Sequence, residues 1–246
     1  RGLGDVYKRQ MDYITIASTG NAQDFGDLVG LSVYGLGGGL SNGHGGIDRS
    51  VAFGSLPASL GLYAGGHPYT TGIIYLNIAT DGELGLFGDL TVGRTSGALA
   101  SATRAVFGPG STGSNTNTMD YFTIASTGNA TDFGDLTQAR GNLSGASSST
   151  RGVFGGGNVS GTVNTIDYIT IASTGNATDF GDLTVTKEFA PAVSSGTRAV
   201  FGSGATNSNV MDYVTIASTG NAQDFGDMLP YHVNGGSASN SHGGLS

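Results

Sequence analysis

The chain has 246 residues, 45 of them glycine and none cysteine, with 10 basic against 18 acidic side chains for a formal charge of −8. That balance leaves no basic patch to neutralise phosphates, which argues against a nucleic-acid partner, and zero cysteine removes disulfides and thiol chemistry. Sixteen of the 18 acids are Asp and charged residues are only 11% of the chain; the shortage of Glu and Lys, beside abundant Gly, Thr, Ser, Val and Ile, excludes a helical protein and predicts an all-β fold rich in turns.

In chain order, Arg1–Gln10 (RGLGDVYKRQ) reads as the translation of a transposon adapter used to prepare sequencing libraries, and is set aside as an artefact of residues 1–10. Without Arg1, Lys8, Arg9 and Asp5 there remain 7 basic and 17 acidic residues, a net of −10. The expectation that follows is a fragment, residues 11–246, open at both ends. No apolar run approaches the roughly 20 residues of a membrane helix, so no membrane insertion is expected.

The first element, Met11–Leu28 (MDYITIASTGNAQDFGDL), recurs at Met119–Leu136, Ile166–Leu183 and Met211–Met228, and in a diverged form, IIYLNIATDGELGLFGDL, at Ile73–Leu90. Tyr63, Phe107, Phe154 and Phe201, each ending a short apolar run, stand 44, 47 and 47 residues apart. A period in the forties built from several short strands predicts propeller blades rather than a helical solenoid. Disorder, the rival for a chain so rich in Gly and Ser, predicts few bulky apolar residues, whereas every copy keeps its Ile, Leu, Tyr and Phe in place.

Blades are predicted at about 29–92, 93–138, 139–185 and 186–229, with partial blades at 11–28 and 230–246. The first is irregular: a Gly-rich insertion within Val29–Leu60 either loops out or extends the inner strand, and Arg49–Gly54 (RSVAFG) is an alternative second strand there. In the blade around Phe154 the four strands are predicted at Gly145–Ser149, Arg151–Gly155, Ile166–Ala172 and Thr178–Val185, the third covered on both faces. Ser173–Asn176 forms a turn. Phe180 and Leu183 point inward, and their odd spacing needs a bulge, which Gly181 permits. Asp179 and Asp182 read as solvated residues protecting the outer edge. Such blades cannot bury both faces alone and must stack.

Val153-Phe154-Gly155-Gly156, Tyr168, Thr174-Gly175, Phe180 and Leu183, with Arg94, Arg140, Lys187 and His232 four residues after the Leu or its equivalent, together resemble the kelch repeat of the galactose-oxidase-like propellers. The strings IDYITIASTGNATDFGDL and RGVFGGG are similar to kelch-type repeat proteins predicted in marine phage genomes, some taken to be tail-fibre or virion-surface components. The resemblance implies a β-propeller of four-stranded antiparallel blades. It also implies that the copper chemistry of galactose oxidase, which needs a Tyr–Cys cross-link, is excluded here.

Candidate chemical motifs have plainer readings. Asp-Phe-Gly at Asp24, Asp132, Asp179 and Asp224 matches the kinase metal-binding triplet, but it recurs without the lysine strand or HRD loop that a kinase needs. Gly39-Leu40-Ser41-Asn42-Gly43 fits a nucleophile elbow by letter alone, in a chain with no strand-to-helix context for it. No calcium loop is present, and His44, His67, His232 and His242 have no metal-ligand spacing. No catalytic residue, metal or cofactor is therefore expected.

The expected function is non-catalytic recognition of a host-surface glycan or protein through blade-connecting loops, on a virion or otherwise extracellular, with homo-oligomerisation if the chain belongs to a fibre. Val29–Leu60 and Gly66–Gly72 are the candidate loops, with Tyr34, His67 and Tyr69 as contacts. The alternatives are a secreted or surface-attached bacterial adhesin or scaffold, and a carbohydrate-active enzyme on a propeller.

Overall fold

The protein is represented by a computed structural model, which describes residues 10–13, 23–27, 38–41, 60–66, 69–77, 85–95, 97–205 and 208–228. All regular structure among them is β. β1 (Gln10–Tyr13) and β2 (Gln23–Asp27) form an antiparallel pair. Four four-stranded antiparallel sheets follow, each a meander. The first contains β3 (Gly38–Ser41), β4 (Leu60–Ala64), β5 (Gly72–Asn77) and β6 (Gly85–Asp89). The second contains β7 (Ala98–Ala100), β8 (Arg104–Phe107), β9 (Thr118–Thr123) and β10 (Thr131–Asp135). The third contains β11 (Ser144–Ser147), β12 (Arg151–Gly155), β13 (Thr165–Thr170) and β14 (Thr178–Asp182). The fourth contains β15 (Ala192–Ser194), β16 (Arg198–Phe201), β17 (Val210–Thr215) and β18 (Gln223–Asp227).

In the third sheet β12 has the predicted bounds, whereas β11, β13 and β14 stop earlier than expected, for local reasons. Ser148 N donates to Arg151 O and Ser173 N to Thr170 O, closing turns that end β11 and β13. Leu183 N donates to Asn164 O as its side chain leaves the ladder for the core, ending β14 at Asp182 rather than Val185. In the irregular first sheet β3 pairs directly with β4, so LGLYA and not Arg49–Gly54 supplies the second strand; 42–59 lies outside the described residues.

Period-2 alternation makes each sheet apolar on both faces. In β4, Leu60, Leu62 and Ala64 face the second sheet; in β8, Ala105 and Phe107 face back to them while Val106 faces forward. Three buried clusters result, each joining consecutive sheets. Phe107 stacks on Phe122 at 5.7 Å within the first of them. Burying one such side chain is worth about 1.5–3 kcal/mol, and no single sheet can cover its own faces. The first strands also adjoin, in the order β3, β7, β11, β15.

The expected bulge is present. Ile166 pairs with Gly181 and Asp167 with Asp179, leaving Phe180 as the extra residue, and Gly181 has φ +138°. The shift turns Phe180 inward, where it is buried with Leu183. The carboxylates do not protect the outer edge as expected. The turn of the next sheet occupies it: Gly220 N donates to Phe180 O and Ala222 N to Asp182 O, each at 2.8 Å, while Asp182 N donates to Asn221 Oδ1 at 3.1 Å. Gly175 and Ala177 bind Phe133 and Asp135 in the same way, with Asn176 taking the amide of Asp135. Asp179 Oδ1 instead accepts the Gly181 amide within the bulge.

This close approach is why the bulge residue is Gly. A Cβ on Gly181 would lie 2.7 Å from the carbonyl carbon and oxygen of Gly220, whereas one on Gly226, with a similar φ of +129°, would meet nothing within 4 Å. Gly181→Ala is expected to cost about 1–3 kcal/mol more than Gly226→Ala in urea unfolding. Equal costs would mean that backbone conformation alone, and not the neighbouring turn, selects Gly.

Candidate functional site

The most concentrated polar chemistry lies where the chain crosses from one sheet to the next. The third strands of the second, third and fourth sheets carry a fully buried carboxylate, Asp120, Asp167 and Asp212, and the links preceding those sheets carry a buried cation, Arg94, Arg140 and Lys187. Arg140 Nη2 lies 3.0 Å from Asp167 Oδ2 and also donates to Phe154 O, while Nη1 donates to Thr165 O at 2.8 Å. The other carboxylate oxygen accepts from Thr137 Oγ1 at 2.7 Å. Arg94 Nη2 lies 2.9 Å from Asp120, which accepts from Thr91 N and Oγ1. Lys187 Nζ lies 2.9 Å from Asp212, which accepts from Thr184 Oγ1, and donates to Gly202 O and Val210 O.

The sheet register sets a second acid opposite each of these: Asp120 pairs with Asp132, Asp167 with Asp179 and Asp212 with Asp224. Like charges placed directly across a ladder repel, and the buried cation offsets them. The diverged copy replaces the whole set. Ile74 stands opposite Leu86, and the sequence has Val29 and Ser32 where other links have Thr and a cation. All members change together because removing one alone would strand a buried charge.

Burial lowers the Arg94 and Arg140 guanidinium values against the pull of Asp120 and Asp167, and raises Asp167 against the pull of Arg140 and the Thr137 hydrogen bonds. Burial likewise pushes Lys187 below its ordinary 10.5, against the hydrogen bond and charge of Asp212. Between that lowered value and 10.5, the unfolded chain holds a proton that the native state has released. The lysine's contribution to stability therefore rises with pH across this window. The free-energy difference between the unaltered protein and Lys187→Arg, whose guanidinium stays charged, is expected to move in favour of lysine as pH approaches 10.5. A flat difference would show that the ammonium is held as firmly as in water. These clusters are sealed, so they hold the crossover in place and present nothing to a substrate.

Gly156 and Gly157, which follow β12, serve the same crossover. A Cβ on Gly156 (φ +66°) would lie 2.4 Å from Lys187 O, and Gly157 N donates to that oxygen at 2.7 Å.

A second repeated set lies on the sheet faces. Arg104, Arg151 and Arg198 sit over Tyr121, Tyr168 and Tyr213 at 4.4, 4.5 and 4.4 Å. The Tyr rings meet Phe133, Phe180 and Phe225 edge-on. Arg104 and Arg151 also donate to Ile171 O and Ile216 O of the following sheet.

Accessible polar groups gather in the loops between second and third strands. In 110–117 these are Ser, Thr and Asn with Gly, and 157–164 adds exposed Val159 to the same residue types; neighbouring loops touch, with Asn115 Nδ2 donating to Asn158 O at 2.7 Å and Val159 O at 3.1 Å. Glu188 accepts from Asn142 and Thr162. The corresponding loop of the first sheet is the expected Gly66–Gly72 segment. Its Tyr69 is 38% exposed with φ +21°, an aromatic where the 110–117 and 157–164 loops have none. His67 lies outside the described residues, as do Tyr34, His44, His232 and His242 and most of Val29–Leu60.

Asp132, Asp179 and Asp224 of the Asp-Phe-Gly triplets are strand residues, and Gly39-Leu40-Ser41 lies in β3, paired with Gly61–Tyr63. Among the described residues no three His, Cys, Asp or Glu side chains gather to hold a metal, and no helix is long and apolar enough to cross a membrane. Sequence reasoning placed Arg94, Arg140 and Lys187 at their link positions but missed Asp120, Asp167 and Asp212. The available signal was an acid inside a run of β-formers in four copies, absent from the one copy that also lacks the cation. No protein-family model and no curated protein matches the chain.

Proposed function

We propose that the chain is a kelch-like β-propeller module that binds a glycan or protein on a host surface without catalysis, as part of a phage tail-fibre-type virion component. The observation that carries this reading is the touching 110–117 and 157–164 loops, rich in Ser, Thr and Asn, on rigidly tied sheets, beside the exposed Tyr69 of the corresponding loop in the first sheet. Side-chain hydroxyls and amides supply adaptable hydrogen bonds, and an accessible aromatic supplies a flat apolar surface, a combination suited to sugars and to protein surfaces. Loops set on a stiff scaffold vary without cost to the fold.

The test is binding of the purified chain to a glycan array and to surface extracts of candidate host bacteria, beside Tyr69→Ala. Saturable binding that weakens at least about tenfold in the variant, about 1.4 kcal/mol, with an unchanged melting curve, supports the reading. Binding indifferent to Tyr69 moves the contact to another loop. Turnover of a bound glycan would replace it with the enzyme alternative.

A further inference from the structure

We infer that Lys187 and Asp212 are a site of autocatalytic modification, an isopeptide bond between Lys187 Nζ and Asp212 Cγ formed with loss of water. The inference does not depend on the recognition function proposed above. Among the described residues three equivalent buried pairs fasten the links between sheets, and two of them use arginine. A guanidinium stays charged and is no nucleophile. The third pair alone sets a primary amine against a carboxylate: Nζ lies 2.9 Å from Asp212 Oδ2, with the two side chains 1% and 0% exposed. Apart from Lys8, in the segment set aside above, Lys187 is the only lysine of the chain.

The surrounding groups hold each atom for the step. Nζ donates to Gly202 O at 3.0 Å and Val210 O at 2.6 Å, with Phe201 O more distant at 3.4 Å. Two of the three N–H bonds of the ammonium are thereby directed at backbone carbonyls, and the third is left to the carboxylate. Loss of that third proton to Oδ2 turns the nitrogen lone pair toward the carboxyl group. Asp212 Oδ1 accepts from Thr184 Oγ1 and, at 3.4 Å, from Thr184 N. These donors face the oxygen on which negative charge develops. Oδ2 has no hydrogen-bond donor among the described residues beyond the ammonium, so nothing else holds the oxygen that must depart. Desolvation disfavours the ammonium and lowers the Lys187 value, and a desolvated lysine is an activated nucleophile. Fixing amine and carboxyl in contact removes the entropic cost of bringing them together.

The step balances without a co-reactant. Nζ passes one proton to Oδ2, and its lone pair forms the Nζ–Cγ bond while the Cγ–Oδ1 π pair moves onto Oδ1. A second proton passes from Nζ to Oδ2. Oδ1 then re-forms the carbonyl, the Cγ–Oδ2 bond breaks, and Oδ2 leaves as water. Nothing is oxidised or reduced, and two opposite charges become one neutral amide whose remaining N–H faces Gly202 O and Val210 O. The bond closes the chain from Lys187 to Asp212, with β15 and β16, into a covalent loop, so the link can no longer part from its sheet. The pH-dependent difference between lysine and arginine belongs to the chain before this step, and the mass tells the two forms apart.

Intact mass is measured on protein that has been folded and then denatured, beside Lys187→Arg, and is followed by tryptic mapping. The expected result is a main species of the unaltered chain lighter by one water, with Lys187→Arg at full mass. Cleavage after Lys187 should be lost, leaving 152–198 joined to the peptide that begins at Ala199, with fragmentation placing the link on Asp212. If Lys187→Arg does not fold, the linked peptide of the unaltered protein decides by itself. Full mass and ordinary cleavage after Lys187 in protein stored folded overturn the assignment. So does a water loss that persists in Lys187→Arg, which would belong to ring closure at an aspartate such as Asp81 before Gly82. A link to Asp224 in place of Asp212 overturns it as well.

Discussion

Arg140→Met is expected to destabilise the protein by about 3–5 kcal/mol, the usual consequence of stranding one member of a buried ion pair. Asp167 is fully buried, and its carboxylate would keep only the hydrogen bonds from Thr137 after losing the guanidinium at 3.0 Å. Asp179, directly across the ladder but exposed to solvent, would add a smaller, water-screened repulsion. The expected loss does not measure what the pair contributes, because desolvating two ions opposes their attraction. The diverged copy suggests the control: it carries Val29, Ser32 and Ile74 at the Thr, cation and Asp positions. Thr137→Val/Arg140→Met/Asp167→Ile should therefore return to within about 1–2 kcal/mol of the unaltered protein. Urea unfolding of the single, double and triple variants gives the coupling directly. A cost below about 1 kcal/mol for Arg140→Met would mean that water reaches the pair.

Phe180→Ala is expected to cost about 3–5 kcal/mol, and the same change at Phe225 about 1 kcal/mol or less in the dilute protein. Both rings are bulge residues at equivalent repeat positions, and both meet a Tyr edge-on, at 5.9 and 6.0 Å. They differ in cover. Phe180 is 3% exposed beneath Val214, Ile216 and Ala222 of the next sheet, and Phe225 is 47% exposed. Truncating the first leaves a cavity between two sheets tied by backbone hydrogen bonds, which cannot collapse onto it. Truncating the second removes a contact that water already shares. Similar losses at the two sites would mean that the aromatic pair within one sheet, and not stacking between sheets, carries the energy.

Much of this fold was legible in the sequence. The copies of Ile166–Leu183 revealed the repeat, the spacing of Tyr63, Phe107, Phe154 and Phe201 its period, the short apolar run ending at Phe154 a strand, and the spacing of Phe180 and Leu183 around Gly181 a bulge. Each signal is legible along the chain, arising from recurrence or from the conformational demands of a few consecutive residues. The candidate binding end was half legible. Gly66–Gly72 was identified by the failure of repetition, and Tyr69 is exposed there, but contact between the neighbouring Asn115 and Asn158 loops depends on how sheets stack.

The sequence by itself determined that this is an all-β repeat protein of four-stranded antiparallel units whose faces demand neighbours. The tertiary structure alone decided what those neighbours supply. An Asp within a strand reads as a solvent-facing residue until a cation 27 positions earlier and a Thr 30 positions earlier arrive around it, as at Asp167. It also decided that the edge after Phe180 is closed by the turn at Gly220–Ala222 rather than by charge. Both outcomes depend on groups brought together from different repeats. No short window of sequence contains both partners, and the energy of a buried charge or an open strand edge is set by the partner.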